Sequence, residues 1–227
     1  DMFEKRYGVR PLEGYGATEC SPVIAVNVPD VDEDGLKQQG ALEGSVGRPL
    51  PNMLTRIVDP DTQKPVAPGT SGLLWVKGPS IMQRYVKNPE KTKEVLVDGW
   101  YNTGDIVHQD ENGFITITDR LTRFSKLAGE MVSHSAVEEA LQNALECTPD
   151  KLAVTGIADE KKGEKLVVIY QKDLGDPEDF QETVLQMDMP NLWKPGRNSW
   201  IGVDELPTLG TGKLDLKGLK KIANSSD

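Results

Sequence analysis

The sequence has little cysteine and no long hydrophobic run, and both absences exclude classes of protein. Its 227 residues include two cysteines, Cys20 and Cys147, which lack CxxC spacing. A disulfide framework is therefore excluded, and reduced intracellular thiols are the simplest interpretation. No apolar run approaches the roughly 18 residues that a membrane-spanning helix needs, and the N-terminus has no signal-peptide pattern.

Basic residues are scarce relative to acidic ones. The chain carries 26 lysines and arginines against 36 aspartates and glutamates, which gives a formal net charge of −10. This balance argues against a protein that coats nucleic acid. It also argues against attraction to an anionic membrane by charge alone.

Many of the polar side chains that suggest a ligand site lie within residues 98–133. A tight turn over residues 101–105 is predicted to leave Asp105 as a fixed carboxylate at the start of an apolar strand. A hairpin then brings Arg120 to the adjoining strand end. A carboxylate and a guanidinium placed in this way suit a ligand that carries a diol and a phosphate. The alternative is an Asp–Arg surface pair, which is common and nearly neutral in energy.

Residues 15–19, YGATE, form a second candidate site. Glycines flank Tyr15, so the backbone and the Thr18 hydroxyl can approach a phosphate. Glu19 adds a hard oxygen ligand that suits Mg²⁺. Taken alone, a Gly-Tyr-Gly segment is often just a turn.

The sequence changes character near residues 119–122. The part before this point is rich in predicted β-strands. Beyond it, Ser135 begins a predicted capping box for one helix, and Asp176 is the predicted cap of another. We therefore predict two domains, residues 1–119 and 120–227.

Residues 207–213, PTLGTGK, contain a Gly-Lys pair that suggests a phosphate-binding loop. Pro207 stands where that pattern needs glycine, and Leu214 replaces its serine or threonine, so the pattern fails. What remains is Lys213 on a flexible, glycine-hinged loop that could reach an anion elsewhere. The alternative is a solvated surface lysine.

Together these motifs resemble the adenylate-forming enzymes, a superfamily that includes acyl-CoA synthetases, luciferases and peptide-synthetase adenylation domains. The resemblance rests on five segments in the family's order and spacing: YGATE at 15–19, GLLWVKGPSIMQRY at 72–85, YNTGD at 101–105, DRLTRFSKLAGEMVS at 119–133 and PTLGTGK at 207–213. Within the superfamily, RFSKLAGEMVS looks most like the synthetase portion of the bacterial bifunctional 2-acylglycerophosphoethanolamine acyltransferase/acyl–acyl carrier protein synthetases.

The resemblance implies an α/β and α+β fold, in which residues 1–119 are the C-terminal part of a large β-rich adenylation domain. Residues 120–227 would form its small mobile α+β lid domain. The implied reaction uses ATP and Mg²⁺ to convert a fatty acid into an acyl-adenylate. The acyl group then passes to a phosphopantetheine thiol on acyl carrier protein and feeds lysophospholipid reacylation.

The resemblance leaves two alternatives open, an acyl-CoA ligase that uses the same residues, and a non-catalytic module that docks a carrier protein or partner chain. Neither involves nucleic acid. The implied location is cytoplasmic, or the inner face of the cell membrane if segments outside this sequence provide attachment.

The resemblance assigns six residues to the nucleotide and its metal ion: Tyr15 against adenine, Gly16 and Thr18 at the α-phosphate, Glu19 on Mg²⁺, Asp105 on the ribose hydroxyls, and Arg120 beside it. Lys213 matches the lysine that bridges the acyl carboxylate and the α-phosphate during adenylation. Lys126 matches a lysine that replaces it after the small domain rotates. Thr122 occupies the hinge of that rotation, and Gly129 lines the pantetheine channel, where a missing side chain lets the thiol arm pass.

The sequence also departs from the family pattern. Residues 1–7 are typical of the end of a helix that began earlier, and the family's Ser/Thr/Gly-rich phosphate loop is absent. We therefore expect a fragment that is inactive alone. Arg84 stands where glycine is usual, Thr122 replaces the hinge Asp or Lys, and Arg123 replaces a common Asp. His134 lacks the His-x4-Asp context of an acyltransferase, so we interpret it as a helix-end residue.

Overall fold

A computed structural model of the protein describes residues 2–159 and 163–225. The chain forms two compact units, Asp1–Leu121 and Thr122–Asp227. The division falls inside the segment at which the sequence changes character. The identity of the units as part of an adenylation domain and a mobile lid remains a prediction.

The first unit is made largely of antiparallel β-structure. Its α-helices are α1 (Met2–Tyr7) and α2 (Pro89–Val95). Its strands are β1 (Gly14–Gly16), β2 (Val23–Val26), β3 (Val31–Glu33), β4 (Leu36–Gln38), β5 (Arg48–Pro49), β6 (Leu54–Val58), β7 (Gly72–Lys77), β8 (Leu96–Val97), β9 (Trp100–Gln109) and β10 (Ile115–Arg120). A 3₁₀ turn, Thr18–Cys20, lies between β1 and β2.

The largest sheet of the first unit positions the candidate carboxylate. Its strand order is β10-β9-β7-β6, with β8 also paired to β9, and a separate sheet has the order β1-β2-β5. The interior strand β7 is an almost continuous apolar run that is buried except at its last residue. Leu74 and Val76 of this strand share a buried core with Ile24, Val107 and Ile115. This core anchors β9, and burying its apolar area is the main stabilising contribution to the unit.

The tight turn predicted over residues 101–105 is wrong, because these residues lie inside the continuous strand β9. The register between β7 and β9 shifts between Leu73 and Trp75, which marks a β-bulge. Gly104 has a φ of +74°, a conformation that glycine adopts without steric cost. Residues of turn type therefore make a bulge here, and Asp105 lies in the middle of a strand instead of at its start.

The second unit is an α+β sheet structure. Its α-helices are α3 (His134–Ala144), α4 (Pro177–Gln186) and α5 (Leu216–Ser225). Its strands are β11 (Phe124–Leu127), β12 (Glu130–Ser133), β13 (Leu152–Asp159), β14 (Gly163–Gln171) and β15 (Trp200–Val203). The sheet order is β12-β11-β14-β13, and β15 pairs with β14 in parallel.

Both faces of the second sheet are buried. Alternate residues of β13 and β14 point to opposite faces, as strand geometry requires. One core contains Val154 and Val168 with residues of α3 and α4, and the other contains Ala153 and Ile169 with residues of α5. The helices therefore cover the sheet on its two sides, which accounts for the nearly unbroken apolar sequence of the two strands.

The two predicted helix caps have different outcomes. Asp176 caps α4 as predicted, because its carboxylate accepts the Glu178 N–H at 3.0 Å. The prediction for Ser135 is wrong, because α3 begins at His134 and Ser133 is its cap. The Ser133 hydroxyl oxygen accepts the Ala136 N–H at 3.2 Å. The capping pattern therefore signals a helix start correctly, but two residues too late.

Within the described ranges, each helix is too short or too polar to span a lipid bilayer.

Candidate functional site

Asp105 and Arg120 face each other across β9 and β10. The two residues are register partners, and Arg120 Nε donates to Asp105 Oδ1 at 2.9 Å. The Asp105 side chain is 7% exposed, whereas that of Arg120 is 65% exposed. A buried carboxylate with an exposed guanidinium differs from a surface ion pair, because the carboxylate has lost its water and needs fixed donors.

Tyr15 supplies the second donor to the same carboxylate. Its hydroxyl on β1 donates to Asp105 Oδ2, so both carboxylate oxygens accept protein hydrogen bonds. Burial, followed by the negative charge of Asp105, raises the pKa of the Tyr15 phenol well above its usual range. The phenol therefore remains a hydrogen-bond donor at every physiological pH. The structure thus brings together Tyr15, Asp105 and Arg120, three of the residues predicted to bind nucleotide.

The backbone after Tyr15 folds into a tight loop that has no room for a side chain at position 16. A Cβ atom at Gly16 would lie 2.0 Å from the Pro22 carbonyl oxygen. That oxygen instead accepts the Ala17 N–H at 2.8 Å, which closes the loop. Thr18 is exposed at the start of the 3₁₀ turn, where its hydroxyl is open to a ligand.

Glu19 is held at two points by the segment that follows β7. The Tyr85 hydroxyl donates to Glu19 Oε1 at 2.6 Å, and the Met82 N–H donates to the Glu19 carbonyl oxygen at 2.7 Å. Among the described residues, no group of three or more acidic, histidine or cysteine side chains could hold a metal ion. A cation at Glu19 would therefore draw further ligands from phosphate and water, as Mg²⁺ commonly does. Tyr85 lies in the segment GLLWVKGPSIMQRY, whose residues have no predicted role in the site.

Cys20, beside Glu19, is expected to resist thiol reagents. It is fully buried, and burial raises its pKa to about 11, with a smaller contribution from Glu19. At pH 8 that value leaves about one thiolate per thousand molecules. We expect Ellman's reagent to modify Cys147, which is partly exposed, well before Cys20.

The control for this labelling is Cys147→Ser, which leaves Cys20 as the remaining thiol. This variant should react only after urea unfolds the chain. Rapid labelling of the folded variant would contradict the buried position of Cys20.

In the second unit, Lys126 lies on strand β11 and Gly129 lies in the turn that follows this strand. Lys126 is exposed on β11, and its backbone N–H donates to Glu164 Oε2 at 2.6 Å. Ala128 and Gly129 connect β11 to β12 with φ values of +49° and +93°. Apart from its two chain neighbours, no atom of the described residues lies within 4 Å of a Cβ built on Gly129. Glycine is therefore favoured here by the backbone conformation, and the space beside it is open. Thr122, the predicted hinge, is the first residue of this unit.

Lys213 is exposed on a closed loop. Thr208 and Leu214 form a β-bridge, and the Leu209 N–H donates to the Lys213 carbonyl oxygen at 2.7 Å. Gly212 has a φ of +79°, so it supplies the sharp turn. The predicted glycine-hinged loop is thus fastened at its base by backbone hydrogen bonds, with the lysine side chain pointing to solvent.

Sequence reasoning missed a partly buried ion pair next to the predicted hinge. Arg123 Nη2 pairs with Glu138 Oε2, and the other oxygen of Glu138 accepts the Val154 N–H at 2.7 Å. The Glu138 carboxylate on helix α3 therefore connects Arg123, the residue before β11, with Val154 on strand β13. The signal available in the sequence was the arginine at a position where the family usually has aspartate.

His134 lies at the start of α3, as its helix-end interpretation requires. Its side chain is 4% exposed, and Nε2 lies 2.8 Å from the hydroxyl oxygen of Ser125 on β11. A Cβ on Gly156 would come within 1.7 Å of that oxygen. The Ser125–His134 hydrogen bond therefore sits in a close-packed interior.

The chain is similar to known proteins in sequence and in fold. Residues 1–86 match the family model described as AMP-binding enzyme. The long-chain-fatty-acid–CoA ligase of Salmonella typhimurium is 34% identical over 98% of the chain, which covers 38% of that protein. Luciferin 4-monooxygenase of Photuris pensylvanica is 32% identical, again over 98% of the chain and 39% of the relative. ATP-bound MatB from Rhodopseudomonas palustris superposes with a TM-score of 0.75 at 26% identity, over 99% of this chain and 43% of that one.

The comparisons support the AMP-binding enzyme family, the adenylate-forming superfamily, for this chain. The predicted α/β and α+β fold class is confirmed by the likeness to its solved structures. The chain spans 38% of the length of the first curated relative that it matches. Several of the relatives, the Salmonella protein among them, are named as CoA ligases, so the narrower resemblance to acyl–acyl carrier protein synthetases remains a proposal.

Proposed function

We propose that the chain is part of an ATP-dependent ligase that activates a fatty acid as its acyl-adenylate. The observation that carries this proposal is the buried Asp105 carboxylate, fixed between Tyr15 and Arg120. Fixed, desolvated hydrogen-bonding groups recognise ligand hydroxyls more selectively than solvated ones do. The name of the Salmonella relative, a long-chain-fatty-acid–CoA ligase, supports a fatty acid as the substrate.

In this proposal the first unit binds ATP. Asp105 accepts from the ribose hydroxyls, Arg120 lies beside it, and the ring of Tyr15 packs on adenine. Gly16 lets the loop backbone approach the α-phosphate, since a side chain there is sterically excluded. The exposed hydroxyl of Thr18 donates to the same phosphate.

Glu19 fits a magnesium ion by the chemistry of its donors. Tyr85 contacts Oε1, and across the described residues Oε2 receives no hydrogen bond. A carboxylate oxygen is the ligand that Mg²⁺ prefers, with phosphate oxygens and water completing its coordination. A bound Mg²⁺ would neutralise charge that builds on the phosphate during displacement at phosphorus.

The two lysines of the second unit would serve different half-reactions. Lys213 would stabilise the charge that develops between the acyl carboxylate and the α-phosphate. Lys126 would take its place during thioester formation, after rotation about Thr122. The open space beside Gly129 would admit a phosphopantetheine arm.

The thiol acceptor is proposed to be acyl carrier protein, on the strength of RFSKLAGEMVS at residues 123–133. The product would then supply lysophospholipid reacylation. CoA is the second candidate, and the names of the relatives favour it. Thioester formation by the complete gene product from one acyl-adenylate, with each thiol supplied in turn, separates the two.

Replacing Asp105 with asparagine tests the nucleotide site. In the complete gene product, we expect the KM for ATP in pyrophosphate exchange to rise about 10- to 100-fold, because each hydrogen bond to a charged group contributes about 1.5–3 kcal/mol. The loss concerns binding, so kcat should change less than KM.

The matched control is Asp32→Asn, which removes an exposed carboxylate paired with Lys37 in the same unit. An unchanged KM in the Asp105 variant would contradict nucleotide binding here. Absence of exchange in the wild-type gene product would instead favour the non-catalytic docking module.

A further inference from the structure

Two residues of the segment after β7, Met82 and Tyr85, donate hydrogen bonds to Glu19. The Tyr85 hydroxyl reaches Glu19 Oε1 at 2.6 Å across a separation of 66 residues. The Met82 N–H holds the carbonyl oxygen of the same residue at 2.7 Å. Backbone and side chain of Glu19 are thus both fixed by this segment, which leaves the second carboxylate oxygen with a defined direction.

Tyr85 is itself held in place. Its backbone N–H donates to Thr92 Oγ1 at 3.0 Å, and the Thr92 hydroxyl donates to the Asn88 carbonyl oxygen at 2.9 Å. Its ring packs against the buried core of the first unit. Its hydroxyl is therefore held in position to donate to the Glu19 carboxylate.

We infer that Tyr85 is a positioning residue that orients the Glu19 carboxylate toward a divalent cation bound with the nucleotide. The inference rests on the proposed function. Carboxylates that bind metals are themselves hydrogen-bonded, and losing such a partner typically costs 10- to 100-fold in metal affinity. A neutral phenol suits this task, because it fixes the carboxylate without cancelling the charge that attracts the cation. A lysine or arginine in its place would compete with the cation.

Tyr85→Phe is the direct test, since it removes one oxygen and keeps the ring. In the complete gene product with ATP bound, we expect the Kd for Mn²⁺, measured by electron paramagnetic resonance, to rise about 10- to 100-fold. The affinity for ATP in EDTA should stay at the wild-type value. The matched control is Tyr170→Phe, which removes a tyrosine hydroxyl from the core of the second unit and should leave the Kd for Mn²⁺ unchanged.

Glu19→Gln separates failure of this inference from failure of the proposed function. If Glu19→Gln leaves Mn²⁺ affinity unchanged, Glu19 is not the metal ligand and the proposed metal site fails. If it weakens Mn²⁺ binding but Tyr85→Phe does not, the positioning inference alone is overturned. If Tyr85→Phe lowers Mn²⁺ affinity and metal-free ATP affinity equally, Tyr85 is merely structural, which also overturns it.

Two further variants complete the design, a double variant and a variant with a shorter carboxylate side chain at position 19. When Tyr85 acts through Glu19, the combined Tyr85→Phe and Glu19→Gln variant should bind Mn²⁺ no more weakly than Glu19→Gln alone. Additive losses would show that Tyr85 acts independently of Glu19. Glu19→Asp keeps the charge but shortens the reach to Tyr85, and it should weaken Mn²⁺ binding even if Tyr85→Phe proves unstable.

Discussion

Replacing Lys213 with alanine is expected to slow acyl-adenylate formation by about 10²- to 10³-fold, the loss typical of removing one charge-stabilising donor. Formation of the thioester from acyl-adenylate supplied in advance should stay near the wild-type rate, because Lys213 is proposed to act only in the first half-reaction. The measurements are pyrophosphate exchange for the first step and thiol acylation for the second, both with the complete gene product.

Two variants control this result. Lys217→Ala removes a neighbouring exposed lysine on α5 and should leave both half-reactions unchanged. Lys126→Ala should show the reverse pattern, with the thioester step slowed and adenylation retained. Equal slowing of both steps by Lys213→Ala would contradict the alternation of the two lysines. Wild-type rates in both steps would mean that Lys213 is a solvated surface lysine.

The largest effect on stability is expected at Glu138. Glu138→Ala takes the Glu138 carboxylate away from the partly buried Arg123 guanidinium and from the buried Val154 N–H. Breaking a buried ion pair by removing one partner typically costs about 3–5 kcal/mol. Urea unfolding of the whole chain should show that loss, with hydrogen exchange locating it in β13.

The neighbouring Glu139 provides the matched control, since Glu139→Ala removes an exposed carboxylate from the same helix. The double variant Arg123→Met with Glu138→Leu should recover most of the stability, because replacing both buried charges by apolar groups is often neutral. If Glu138→Ala is no more destabilising than Glu139→Ala, the ion pair contributes nothing of importance to this unit.

The Asp105–Arg120 pair could be predicted from the sequence because its geometry is local. A hairpin turn fixes the register of its two strands, and the register decides which residues face each other. The turn at residues 110–113 is closed by the Gly113 N–H donating to the Asp110 carbonyl oxygen at 3.1 Å. The turn brings Arg120 close to Asp105, but the two become register partners only because the register shifts by one residue between Ile117 and Asp119.

Contacts between distant segments could not be predicted in the same way. The hydrogen bond from Tyr15 to Asp105 spans 90 residues, and the one from Tyr85 to Glu19 spans 66. Both depend on how segments far apart in the chain pack together, and no periodicity in the sequence encodes that packing. Family resemblance assigned Tyr15 to the site, whereas Tyr85 had no assigned role and was missed.

Local propensity was also overridden in two places. Tyr101–Asp105 has turn composition, yet pairing with the buried strand β7 keeps it extended. Ser135 and Glu138 match a capping box, but the Glu138 carboxylate bonds to Arg123 and Val154. In both cases polar groups that the local pattern predicts to bond within a turn or a helix end bond instead to residues distant in the sequence.

Both oxygens of Asp105 already accept hydrogen bonds from the protein, so under the proposed function nucleotide binding is an exchange of partners. A ribose diol replaces or shares donors that the carboxylate already has, and its net enthalpic gain is therefore small. A sugar that lacks a hydroxyl would displace a protein donor from the Asp105 carboxylate without supplying another. The buried carboxylate would then have fewer hydrogen bonds than before, which costs free energy. Selectivity for ribonucleotides would then come more from the weak binding of sugars that lack a hydroxyl than from the strong binding of ribose.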